Sequence, residues 1–190
     1  MYNSLSNLPA VAYNILVYLA TSSKAENLWK MLAYNDYDCL SKPNLTLAQK
    51  LQMIWKTGPQ EQYSVFLSPL VEDAITESKT IIKIYDYYIN KNELYTSAVV
   101  YAFDCLYGGN MALIDWNGVP SSRGDVFIHT VMSTLNGASI GGIGKMSFSS
   151  DLTRYNVAKA TIGNSKTFTG VQIFMSTLMG DSGIQIDCDD

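Results

Sequence analysis

The sequence predicts an α+β domain in which N-terminal helices precede an antiparallel sheet crossed by one helix. Three observations lead there. Apolar residues recur at helical spacing through the first 58 residues, β-branched and aromatic residues alternate from Thr80 to Cys105 and crowd together from Thr167 to Leu178, and a second helical pattern lies between those runs. The division this implies is a helical region over residues 1–62, a sheet plus helix over 63–180, and an acidic tail over 181–190.

Pro9 suits a helix's first turn, where a missing N–H costs nothing, and Val11, Ile15, Leu16 and Leu19 follow on one face until about Thr21. Ser23 with Glu26 has the capping-box form, ahead of an apolar stripe of Leu28, Trp29 and Leu32. Thr46 with Gln49 repeats it before Leu47, Leu51, Ile54 and Trp55, in a third helix expected to run to Gly58-Pro59. Trp29 and Trp55 then fall on apolar helix faces and belong to the core.

Val65 to Leu67 reads as a short strand. Thr80 to Ile89 and Val99 to Cys105 pair as a long hairpin turning at Asn90 to Glu93. Gly108 to Pro120 reads as a connecting loop, and its Leu113, Ile114 and Trp116 are apolar residues that a free-standing loop rarely exposes, so something is expected to pack on it. For Trp116 two readings stay open, a contact between subunits and simple tacking of the loop. Ser122 and Asp125 open a helix that Asn136-Gly137 closes; Lys145 to Ser149 reads as a strand, Asp151 to Lys166 as a polar excursion, and Thr167 to Leu178 as the last strand. Asp181, Asp187, Asp189 and Asp190 make a solvated tail that lacks the ligand spacing of a calcium loop.

Composition restricts the function. A net charge of −4 argues against a general nucleic-acid binder, which needs clustered Lys and Arg. Charged residues amount to only 16%, while Tyr numbers 13 and Met 8, a balance that suits surface meant for protein neighbours. Cys39, Cys105 and Cys188 are odd in number and far apart, which indicates neither a disulfide framework nor a zinc site. The apolar run Leu8 to Ala20 is shorter than the roughly 20 residues that span a bilayer, so a core helix is expected and no membrane partner.

The chemical motifs are equally sparse, and no cofactor or metal is expected. In GASIGGIGKMS the P-loop spacing fails, because Ser139 stands where the first glycine belongs and Met146 where a hydroxyl would hold magnesium; a tight turn is the reading left. His129 is the only histidine, on a helix with no nucleophile elbow elsewhere to nominate a partner, and Asp36 with Asp38 reads as helix termination and a polar loop.

Ser122-Arg123-Gly124-Asp125 opening a helix, Leu135-Asn136-Gly137 ending it, Ile140 to Met146 running onward and Phe168-Thr169-Gly170 opening a strand together resemble the head-to-tail joining proteins of tailed bacteriophages. The stretch from Leu28 to Ile54, with Asp38, Pro43, Leu45 and Thr46 before a helix, is similar to the same group, and a narrower similarity is to the ring proteins of crAss-like phages. The resemblance implies a non-enzymatic virion subunit, assembled in the host cytoplasm as a ring of its own copies between portal and tail. Adjacent neck or tail proteins would be its partners, and double-stranded DNA would pass its channel without specific binding. Residues expected at neighbour contacts are Leu113, Ile114 and Trp116, with Tyr155 and Ile162 in the excursion. Two other classes compete: a cytosolic adaptor gripping one protein through a sheet edge, and a small hydrolase using His129, Asp36 or Asp38.

Overall fold

The computed structural model describes residues 5, 7–69, 79–91, 96–141, 143–148, 157–158 and 168–180. Helix α1 (Leu8–Thr21) has Pro in its first turn and buries Val11, Ile15, Leu16, Leu19 and Ala20. A short 3-10 turn, Ser23–Ala25, leads to α2 (Glu26–Ala33). The capping box expected at Ser23 is absent, because the 3-10 turn places Ala25 at the N-cap, with no side-chain oxygen to offer. Trp29 is fully buried and donates its indole N–H to Leu19 O at 3.0 Å, which binds α2 to α1.

Helix α3 (Leu47–Gln52) begins with the capping box, Thr46 and Gln49 each satisfying the other's backbone N–H. It stops at Gln52, well before Gly58-Pro59. The chain is drawn off there by sheet bonding: Val65 N donates to Met53 O at 3.0 Å and Trp55 N to Val65 O at 2.9 Å. Trp55 is therefore no helix-face residue; it sits half-buried with its ring 6.2 Å from Phe66. Lys50 turns inward from α3, donating to the Glu26 carboxylate and, at 3.1 Å, to Ala20 O, so one ammonium joins three helices.

The main sheet runs in the order β1 (Val65–Phe66), β2 (Ile81–Lys91), β3 (Thr96–Gly108), β7 (Phe168–Gly180), β6 (Val157–Ala158). All neighbours are antiparallel except β1, which joins β2 in parallel. Along β3, Val99, Tyr101, Phe103, Cys105 and Tyr107 face the helices and enter one hydrophobic core that takes in α1, α2, α4 (Arg123–Leu135) and the sheet. The helical region and the sheet thus share one interior.

The alternate residues face the other way, where Val100, Ala102 and Phe174 form a second, smaller cluster. On that face Lys83, Asp104 and Gln172 stand in one row across three strands. Lys83 reaches the Asp104 carboxylate at 3.2 Å, and Gln172 donates to it at 2.7 Å. Gly170 on β7 lies so close to Cys105 O that a Cβ there would come within 2.1 Å of it.

The expected strand at Lys145 resolves into isolated bridges, Ser139 with Lys145 and Ser147 with Ser176, and Ser149 lies outside the described residues. In the glycine-rich stretch before it, Ile143 N donates to Ile140 O at 3.1 Å, and Gly142 lies outside the described residues. Among the described residues, no helix is long and apolar enough to cross a membrane, and no group of three or more His, Cys, Asp or Glu could hold a metal ion.

Candidate functional site

The stretch from Gly108 to Pro120 is not a loop. After a 3-10 turn at Gly109–Met111 it forms a two-stranded hairpin of β4 (Leu113–Trp116) and β5 (Val119–Ser122), separate from the main sheet. Asn117 and Gly118 join the strands with φ of 54° and 82°. Two successive positive φ values make the turn whose twist matches that of paired strands, and Asn-Gly is its preferred dipeptide. Asp115 fixes the turn by accepting from Gly118 N at 2.7 Å. The signal stands in the sequence as Asn117-Gly118 between Trp116 and Val119.

The hairpin base is held by Arg123, the first residue of α4. This guanidinium is fully buried, and it donates to Met111 O at 2.8 Å, to Met31 O at 3.0 Å and to Thr80 Oγ1 at 2.9 Å. The residue's own N–H donates to Ala112 O at 2.8 Å. One side chain therefore locks hairpin, α2 and the start of β2 together, balancing the cost of a buried charge with carbonyl and hydroxyl acceptors. Burial lowers the Arg123 pKa from its ordinary value. The free thiols of Cys39 and Cys105 are also buried, and burial pushes both upward against the opposing pull of Arg123.

The residues expected at neighbour contacts divide by side of the hairpin. Ile114 is fully buried and anchors the hairpin to the core, whereas Leu113 on the opposite face is 56% exposed, and Val119, on the Ile114 face but next to the turn, is 58% exposed. Trp116 is half-buried, with its ring edge-on to His129 at 5.4 Å between centroids. It divides two hollows. One, of about 500 Å³, lies against Ser121, Ser122, Asp125 and His129; the other, of about 280 Å³, against Asn27, Ser41, Asp115 and Asn117. The tacking of Trp116 is thus part of the fold, while the hairpin's outer side stays open to neighbours. Tyr155 and Ile162 lie outside the described residues, as does the acidic tail.

Tyr37 borders the hairpin, since its carbonyl accepts from Asp115 N at 2.8 Å, and its own side chain is 49% exposed. On either side of it, Asp36 and Asp38 form ion pairs with Lys42 at 3.5 and 3.1 Å. Those carboxylates hold the Lys42 ammonium above its ordinary pKa. They serve the loop, as the sequence reading had them. His129 is exposed on α4 at the rim of the larger hollow, with Asp125 one turn before it, and the two face an open groove rather than an enclosed pocket.

What the arrangement offers is a rigidly based hairpin seated against α4, with exposed Leu113 and Val119 on its two faces. No curated protein and no solved structure gives a significant match to the chain. A family model does match, over residues 25–177, a span that takes in the helices from α2 onward, the hairpin and nearly all of the sheet. The chain accordingly belongs to the YomW family, named for a product of the Bacillus phage SPbeta region, and is a phage-associated protein.

Proposed function

We propose that this chain is a structural subunit of the phage particle, assembling with its own copies into a ring at the head-to-tail junction, without a catalytic role. The observation that supports the reading is the hairpin: a separate, rigidly based element that carries exposed Leu113 on one face and exposed Val119 on the other. Apolar groups grouped on a preformed element suit contact with another protein, because little side-chain freedom is lost on docking. Phage association and the low charge of the chain agree with such a role. In the ring the portal and adjacent neck or tail proteins would lie above and below, and a net charge of −4 would let DNA slide through the channel without sticking.

Labelling tests the location. A small tag inserted at Thr57-Gly58, an exposed turn outside the hairpin, and decorated with gold-coupled antibody should mark the neck of intact virions; particles labelled elsewhere would contradict the assignment.

One observation favours a second reading, the adaptor. β1 covers only Ile82 and Lys83 of β2, and from Ile84 to Asn90 the outer edge of β2 has no strand partner among the described residues. An extended peptide could pair there. The bulge between Asp86 and Tyr88 blunts that edge, which weighs toward the ring.

A further inference from the structure

The three tryptophans are not equally bound. Trp29 and Trp55 each donate the indole N–H to a carbonyl, Leu19 O and Gly58 O, both at 3.0 Å. The indole N–H of Trp116 has no acceptor among the described residues, although the ring is half-buried. An indole so placed usually finds one. The Trp116 ring instead borders both hollows, and His129 meets it at an edge.

The two hollows share a chemistry. Neither has a lysine or arginine on its walls. Asn27 and Asn117 on the smaller one and His129 on the larger make no side-chain hydrogen bond among the described residues. Asp115 gives one carboxylate oxygen to Gly118 N, and the other has no partner among the described residues. With carboxylates and no cation around it, the ring is a poor neighbour for a phosphate or any other anion. A purely apolar ligand would leave the amides and the indole N–H unpaired. A cyclic polyol avoids both penalties, because its hydroxyls donate to carboxylates, accept from N–H groups, and leave a C–H face to lie on an aromatic ring.

We infer that Trp116 and the two hollows it divides bind a neutral saccharide. The larger hollow, about 500 Å³, falls within the range of roughly 300–1,000 Å³ typical of small-ligand sites. The smaller, about 280 Å³, continues it past the ring, so a short chain of sugars fits better than a single one. The inference goes beyond the ring reading and does not rest on it, since the site would serve a subunit at any position in the particle.

Heteronuclear NMR of the full chain tests it by resolving the three indole N–H signals, and the signal lost in Trp116→Phe assigns that residue. Titration with cellotetraose, maltotetraose and tetra-N-acetylchitotetraose should shift the Trp116 signal saturably with at least one of them, leaving those of Trp29 and Trp55 in place. Asn27→Ala and His129→Ala, one on each hollow, should each raise the dissociation constant about threefold to tenfold, the size of one lost hydrogen bond. Unmoved Trp29 and Trp55 signals show that each variant is folded. The absence of any shift with all three sugars up to their solubility limit overturns the inference. So does a shift produced by glucose phosphate or a lysine tetrapeptide but by none of the neutral sugars, or saccharide binding that neither substitution weakens.

Discussion

At the scale of single residues, Arg123 does the most for the structure around it. Its planar group serves three separate acceptors, and an ammonium on a flexible stem cannot reach them all. Arg123→Lys should lower stability by roughly 1–3 kcal/mol and Arg123→Ala by about 3 kcal/mol or more, because buried carbonyls are left without donors. Urea titration reads both values; an unchanged midpoint for Arg123→Ala would show that the network contributes nothing. Tyr101 is the opposite case. Its hydroxyl is buried with no hydrogen-bond partner among the described residues, so Tyr101→Phe should be neutral or stabilising by up to about 1 kcal/mol.

Half-buried Tyr85 and buried Tyr101 and Cys105 also set the alkaline limit, because desolvation raises all three above their ordinary values of 10.0 and 9.0. Between the ordinary value and the raised one the folded state holds protons that the unfolded chain has released, so stability falls with rising pH. Unfolding free energy should decline from about pH 9, as unfolded thiols ionise, and more steeply above about pH 10. Tyr101→Phe should flatten the upper part of that decline.

At the scale of elements, local signals were legible where the interactions are local. The Thr46 capping box and the Pro9 helix start need only neighbouring residues, and both form as read. The end of α3 was not legible, because β1, a dozen residues downstream, takes its backbone groups. Trp116 shows both sides of this: Asn117-Gly118 encodes its hairpin locally, whereas the Arg123 network beneath depends on Met31 and Thr80, residues distant in sequence. Strand pairing supplies a prediction at this scale. Gly170→Ala would force a methyl into Cys105 O and should part β3 from β7 at that point. Backbone amide exchange should rise at Cys105 to Tyr107; unaltered protection there would mean that the strands adjust freely. The Lys83, Asp104, Gln172 row adds register control, since a slip of one residue would turn Asp104 toward the apolar core.

At the scale of the whole molecule, two aromatic side chains separate folding from assembly. Phe103 is fully buried in the main core, and Phe103→Ala should cost roughly 3–5 kcal/mol. Trp116 is half-buried next to the hairpin turn, against His129 of α4, and Trp116→Ala should cost only about 1–2 kcal/mol while loosening the hairpin that neighbours would grip. Equal losses of monomer stability would remove the distinction between the two. The α+β class was readable from periodicity alone, since helix and strand patterns occupy different stretches of the chain. The surroundings of the hairpin were not, because Tyr37, whose carbonyl accepts from Asp115 N, comes beside it only in the folded chain.

Association of copies is the claim on which the functional account stands, and electron micrographs of the purified full-length protein test it most directly, alone and with the neighbouring neck proteins. The account predicts closed rings with a central opening for the wild type and their loss in Trp116→Ala. Single separate subunits under every condition would contradict it.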